Sequence, residues 1–402
     1  MAETRGPLTG VKVIELAHIM AGPVCGMMLA DMGADVIKVE KLPGGDDSRR
    51  FVPPDIDGES AAFMMMNRNK RGIAVNLKEK AGQELVRKML VSADVVIENY
   101  RAGTMRRLGL GYESLQKENP GLVYCEISGF GRTGPYKDLG GFDLIAQGMS
   151  GLMSITGEGD GHPLVKVGAP VTDITGGILG ALGVLAAYTH RLKTGRGQRV
   201  DTSLFEAGII HTYWQSAIAF ATGSAPGPMG SAHPLNAPYQ AFEARDGWIT
   251  VGAANQANWL RMLDALERPD LAEDPRFQDN PARMKNLPVL AKILGYEIAK
   301  RSRSDWLARF EAAGVPAGPV LTVSEMHADP HAIARDMIPA PEHKRLGAVK
   351  TIGCPVKFSE TPGGVTRGAP VYGEHTREVL TEYGYDESQI ARLLKAHVVA
   401  VD

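Results

Sequence analysis

Cysteine is nearly missing from this chain: Cys25, Cys125 and Cys354 are the only three in 402 residues, and they stand far apart. With neither a C-x-x-C pair nor an even count, a disulfide framework and a zinc site are disfavoured, and a reducing cytoplasm is the default expectation. An excess of either charge is lacking as well. The 44 basic and 46 acidic side chains leave a net charge of −2. That provides no general attraction to nucleic acid or to an anionic membrane, so an anionic ligand has to be met by local cations. The N-terminal Met1-Ala-Glu-Thr-Arg5 has no apolar signal region. No charge-free apolar run of about 18 residues reads as a membrane span, although the glycine-rich stretch after Asp173 comes closest. H-E-x-x-H and other metal-ligand spacings are absent, as is G-x-x-x-x-G-K-[ST], so metal chemistry and ATP-driven ligation of the phosphate-loop type find no support.

What is present has the make-up of an ordinary globular enzyme long enough for two domains, 44% hydrophobic and 22% charged. Strand-like runs at Val11 to Leu16, Val36 to Glu40, Gly72 to Asn76, Val95 to Glu98 and Leu122 to Ser128 alternate with periodic segments such as Gly82 to Ser92. This alternation predicts an α/β domain with an open, Rossmann-like parallel sheet over residues 1–220. Such sheets bind ligands at the carboxyl ends of their strands, where His18, Lys41, Lys78 and Asn99 fall. A Gly/Pro/Ser stretch, Ala221 to Gly230, reads as a linker or active-site loop. It opens a smaller α+β domain over 221–334, with a hairpin at Tyr239 to Gly252 turning on Asp246-Gly247 and helices at Gln256 to Glu267, Val289 to Ser302 and Asp305 to Ala313. Residues 335–402 return to the large domain. Gly129-Phe-Gly131-Arg-Thr-Gly134 matches G-x-G-x-x-G after a strand, yet Pro135 to Gly141 reads as a loop where a dinucleotide site needs a helix.

The segment Val165 to Gly177 places one carboxylate, Asp173, in a glycine-rich apolar turn before a long apolar helix that ends near Lys193-Thr-Gly195. At a helix start the backbone N–H groups and the dipole favour an ionised carboxylate, and Gly168, Ala169, Gly176 and Gly177 leave room for a bulky group near its oxygens. That suits a carboxylate nucleophile; it equally suits an ordinary Asp N-cap.

Taken with Leu8 to Pro23, Gly33 to Glu40, Gly168-Ala-Pro170-Val-Thr-Asp173, Gly353-Cys-Pro355 and Gly373 to Leu380, the whole chain resembles the family III CoA-transferases. These include formyl-CoA transferase, carnitine CoA-transferase and the 2-methylacyl-CoA racemase. The resemblance implies an interlocked, ring-like homodimer and Asp173 as nucleophile. CoA thioesters would be substrates, with no permanently bound cofactor. The positions that line CoA in the pattern match His18, Met20, Ala21, Lys41, Val75, Asn76, Leu77, Lys78, Asn99, Tyr100, Arg101, Arg107, Gly140, Gly141, Phe142 and Asp143. Lys41, Lys78 and Arg107 would supply charge for the phosphates. Two positions depart: Met20 replaces a glutamine and Gly140 a lysine. Gly230, Ser231, Ala232 and His233 fall where the pattern has a run of glycines over the reacting centre, so a substrate loop is expected there, stiffer than glycine.

The activity so implied is transfer of CoA from a donor acyl-CoA to a free carboxylic acid through an aspartyl intermediate. A racemase of the same fold needs a histidine base where this chain has Phe142, and a noncatalytic acyl-CoA binder has no use for Asp173. The segment from Gly230 to Gly247 looks like the succinyl-CoA:glutarate branch. A short dicarboxylate with succinyl-CoA as donor is therefore expected, with a protonated His233 or an arginine meeting the second carboxylate.

Overall fold

The computed structural model describes residues 6–159 and 161–402. The chain forms two compact units. The first comprises the chain up to Ser150 together with Val167–His211 and Pro330–Asp402; the second comprises Gly151–Lys166 and Thr212–Asp329. The boundaries differ from those expected at 220/221 and 334/335. The segment 151–166 joins the second unit, in which Gly230 N donates to the Gly157 carbonyl at 2.7 Å.

The first unit is built on a seven-stranded sheet. Its strands are β1 (Lys12–Leu16), β2 (Asp35–Lys41), β3 (Arg71–Val75), β4 (Val95–Glu98), β5 (Val123–Ser128) and β6 (Arg199–Ser203), joined by the two-residue strand Val399–Ala400. Their order is (Val399–Ala400)-β3-β2-β1-β4-β5-β6. All neighbours are parallel except Val399–Ala400, which pairs antiparallel with β3. The alternation of side chains along a strand divides the core. Ile14, Leu16, Ile37 and Val96 pack on one face with Leu85, Val86 and Met89 of α2 (Lys80–Val91). Val13, Val36, Val95 and Ile97 pack on the other face with Leu29 of α1 (Ala21–Asp31) and with Ala181 and Val184 of the long helix that follows Asp173. Burial on both faces explains why these strands read as nearly continuous apolar runs.

Three further helices shape the site: α3 (Asp143–Met149), α4 (Val171–Thr194) and α5 (Leu204–Ile209). Arg191 and Lys193 lie in the last turn of α4, and Gly195 closes it in the left-handed conformation, as the sequence predicts. By length and hydropathy α4 passes for a membrane span, but its glycine face is a packing surface. A Cβ on Gly177 would lie 2.7 Å from the Ala21 carbonyl oxygen, and one on Gly180 would lie 2.7 Å from Ile127 Cδ1. The α1 backbone therefore approaches α4 because position 177 is glycine, and Ile127 of β5 packs against α4 because position 180 is.

The second unit carries an antiparallel sheet in the order β9-β8-β7, made of β7 (Tyr239–Ala244), β8 (Gly247–Gly252) and β9 (Ala317–Pro319). Gly247 already pairs with Ala244, so the hairpin turns on Arg245-Asp246, one residue earlier than expected. Trp259, Phe277, Leu290 and Phe310 form its core.

Candidate active site

The strand order reverses between β1 and β4, where an open α/β sheet leaves a crevice at its carboxyl edge. His18 follows β1 and Asn99 follows β4, and they clasp across this point. Asn99 Oδ1 accepts from His18 N at 2.9 Å, and Asn99 Nδ2 donates to the His18 carbonyl at 2.8 Å. The Tyr100 ring lies edge-on to the His18 ring at 5.0 Å. Burial, and then the positive charge of Lys38, lower the His18 pKa, so the imidazole is neutral; its Nδ1 is buried without a partner.

The next residue, Ile19, has φ +65°, a left-handed conformation costly for a β-branched side chain. A buried charge network holds it there. Asp46 Oδ1 accepts from Ile19 N at 3.0 Å. Asp46 Oδ2 pairs with Lys38 at 2.8 Å, Lys38 with Glu15 at 2.9 Å, and Glu15 with Lys70 at 2.8 Å, all four side chains being fully buried. Burial would raise the Asp46 carboxyl, but Lys38 holds it well below the usual carboxylate range. Burial brings Lys70 down to about 8 despite Glu15.

Asp173 lies in the first turn of α4 and does not cap it: the N-cap position is Pro170, with no side-chain cap. The cap comes from outside the helix. Asp143 Oδ1 accepts from Thr172 N at 3.0 Å and from Thr172 Oγ1 at 2.8 Å. The expected preference for an ionised Asp173 is also overturned. Burial, and then the like charge of Asp143, push the half-buried carboxyl up to about 7, against 3.8 for an ordinary aspartate. Of its small neighbours, Gly176 and Gly177 are buried against Leu204 and α1 and make no room for a ligand. Gly168 and Ala169 are exposed.

Asp173, His18, Met20, Ala21, Asn99, Gly141 and Phe142 line one cavity of about 170 Å³, together with Ile19, Ile127, Ser128, Gly129 and Leu204. A second cavity of about 190 Å³ shares Asn99, Ser128, Gly129, Gly141 and Phe142 with it and adds Tyr100, Arg101 and Gly140. The remaining predicted contacts lie elsewhere. Arg107 lines two other cavities and donates to Thr104 at 3.0 Å. Lys41 is paired with Asp47 at 2.6 Å. Lys78 is exposed, Val75 is buried within β3, Leu77 packs on the core, and Asn76 Oδ1 accepts from Lys78 N. Asp143 lines neither of the first two cavities, because its oxygens are held within the protein.

The segment Gly230, Ser231, Ala232, His233 belongs to the second unit and is tied down there. Ser231 Oγ accepts from Ala241 N at 3.0 Å, and His233 N donates to the Tyr239 carbonyl at 3.0 Å. The His233 ring sits between Trp214 and Tyr239, and its Nδ1 accepts from Leu235 N at 3.1 Å.

Sequence reasoning missed Lys38, Asp46 and Arg132. A lysine interrupting the apolar run Val36-Ile-Lys38-Val signals a buried pair, but nothing in the sequence names its partners. Arg132 explains the false dinucleotide motif. No helix follows its glycines before Asp143. Instead its guanidinium bonds Glu98 at 2.7 Å and Glu126 at 3.0 Å, acids in register on β4 and β5, and the Tyr100 carbonyl at 3.0 Å.

The model for CoA-transferase family III matches residues 8–376. The chain belongs to CoA-transferase family III. It is 41% identical to a succinate–glutarate CoA-transferase of Agrobacterium fabrum, over 95% of this chain and 97% of the relative. It is 40% identical to a succinyl-CoA:mesaconate CoA-transferase of Haloarcula marismortui, again over 95% and 97%. The solved structure of a CaiB/BaiF family protein from Brucella suis superimposes with a TM-score of 0.84 at 39% identity, covering 94% of this chain and 100% of that one. This family III chain is thus an enzyme of the CoA-transferase type, with CoA thioesters as its substrates.

Proposed function

We propose that the enzyme moves CoA from a dicarboxylic donor such as succinyl-CoA to a free dicarboxylic acid, with Asp173 as covalent nucleophile. The observation that carries this reading is the setting of Asp173: a half-buried carboxylate on the wall of the switch-point cavity, raised to about 7, with like-signed Asp143 the charge acting on it. A more basic carboxylate is a better nucleophile once ionised. Its oxygen attacks the thioester carbonyl and the C–S bond breaks, giving an acyl-aspartyl anhydride and CoA thiolate. The thiolate then attacks the aspartyl carbonyl, the donor acid leaves as its carboxylate, and an aspartyl-CoA thioester remains. The acceptor carboxylate repeats these steps in reverse order, and Asp173 is regenerated. One thioester replaces another, so no ATP is consumed, and water must be kept out.

Neutral His18, on the wall of the same cavity, supports a hydrogen bond to the ligand in place of proton transfer. Gly140, where the pattern has lysine, leaves space for Arg101, whose Nη2 lies 3.8 Å from where a Cβ would stand, so Arg101 serves as a cation for CoA. The dicarboxylate reading is supported by the relatives named for succinate, glutarate, mesaconate and citramalate. The interlocked homodimer is part of the proposal, supported by Leu182 and Leu192 of α4, 61% and 71% exposed. The test pairs hydroxylamine trapping with donor choice. Incubation with succinyl-CoA and hydroxylamine should leave a hydroxamate on Asp173, found by peptide mass spectrometry. Succinyl-CoA should outperform butyryl-CoA, which has the same acyl length without the terminal charge. An unmodified Asp173 sinks the nucleophile, and a preference for butyryl-CoA sinks the dicarboxylate.

A further inference from the structure

The direction in which Asp173 points depends on the segment 167–172 and the first turn of α4. Gly168 and Ala169 are exposed, and a Cβ on Gly168 would meet nothing within 4 Å. Pro170 offers no side-chain cap, so the first N–H groups of α4 need an acceptor from outside the helix. Two side chains one turn apart on α3 hold both ends of the segment. Asp143 Oδ1 takes the Thr172 N–H and hydroxyl at 3.0 and 2.8 Å. Asp143 Oδ2 accepts from Gln147 Nε2 at 2.8 Å. Gln147 is fully buried, and its Oε1 accepts from Val167 N at 2.8 Å. A buried amide with donor and acceptor both engaged is a rigid link.

We infer that Asp143 and Gln147 are positioning residues, a brace that aims the Asp173 carboxylate into the cavity. This rests on the reading of Asp173 as nucleophile. The brace also places a like charge near that carboxylate and so contributes to its raised proton affinity. The other elements around the cavity add no opposing charge: α1 and the turn before it present Ala21, Met20 and neutral His18, and α5 presents Leu204.

Asp143→Asn removes the charge and sets an amide donor against Gln147 Nε2. Asp143→Asn combined with Gln147→Glu returns an acceptor for both the new amide and Val167 N. Two quantities are read: steady-state transfer, and the pH midpoint at which a carbodiimide, which consumes the protonated carboxyl, ceases to label Asp173 in peptide mass spectra. The single variant should lose more than about tenfold in kcat with donor KM within about threefold, and its midpoint should fall by about one pH unit. The exchanged pair should regain most of kcat, with a midpoint between the two. If the single variant fails to fold, the exchanged pair decides alone: the brace requires it to transfer CoA within about tenfold of wild type. A single variant with wild-type kcat, or with an unmoved midpoint, overturns the inference. If wild type transfers no CoA, the nucleophile reading fails while the labelling midpoints still decide the brace.

Discussion

Asp173→Asn keeps the shape of the side chain and removes its charge, and the structure predicts opposite effects on activity and stability. Activity should fall by at least about a thousandfold, roughly 4 kcal/mol in the barrier, because the covalent step has no other nucleophile. Stability should rise. The rise of the carboxyl from 3.8 to about 7 sets a ceiling of about 4 kcal/mol against the ionised form. The open side of the cavity lets solvent and salt screen the charge and reduces this to about 1–2 kcal/mol. The penalty has a defined pH window. Below the unfolded value of 3.8 both states are protonated and there is no penalty. Between 3.8 and about 7 the native state holds the extra proton, so wild-type stability falls as pH rises; above 7 both states are ionised and the loss is complete. Thermal melts of wild type and variant at matched ionic strength should therefore coincide near pH 4 and separate by about 2–4 °C at pH 8, the variant being the more stable. A variant less stable than wild type at pH 8, or a gain independent of pH, would refute the assignment of a strained carboxylate.

Three further outcomes follow from the packing and the cavity wall. Gly177→Ala puts a methyl 2.7 Å from the Ala21 carbonyl oxygen; it should cost about 1–3 kcal/mol in urea unfolding and lower kcat, because Met20 and Ala21 move with α1. Lys38→Met leaves Asp46 and one oxygen of Glu15 without their cation and should destabilise by about 3–5 kcal/mol in the same assay; a loss below about 1 kcal/mol would show the network to be dispensable. With Phe142, not histidine, on the cavity wall, the α-proton of 2-methylacyl-CoA should not exchange in deuterated water, and rapid deuterium incorporation read by mass spectrometry would favour the racemase.

The large sheet was legible because a parallel strand buried on both faces writes itself as an apolar run, and β4 lies at the residues expected for it. Asp173 was legible as an acid in a glycine-rich turn, and its protonation was not. Its proton affinity depends on how much water α1 and α3 exclude and on a carboxylate thirty positions away. Which lysines stand at the switch-point cavities was not legible either. Lys41 and Lys78 have the right charge, yet one is paired to Asp47 and the other is exposed away from the two cavities of the switch point.

By itself, the sequence determined the element types, the sheet class, the helix stop at Gly195 and the family, all of which rest on local pattern or on collinear motifs. Tertiary structure alone decided which glycines admit a helix and which remain open, that Asp143 caps α4 and does not face the cavity, and that Arg132 ties Glu98 to Glu126. These depend on contacts between residues distant in the chain, where burial and the field of neighbouring charges act through space.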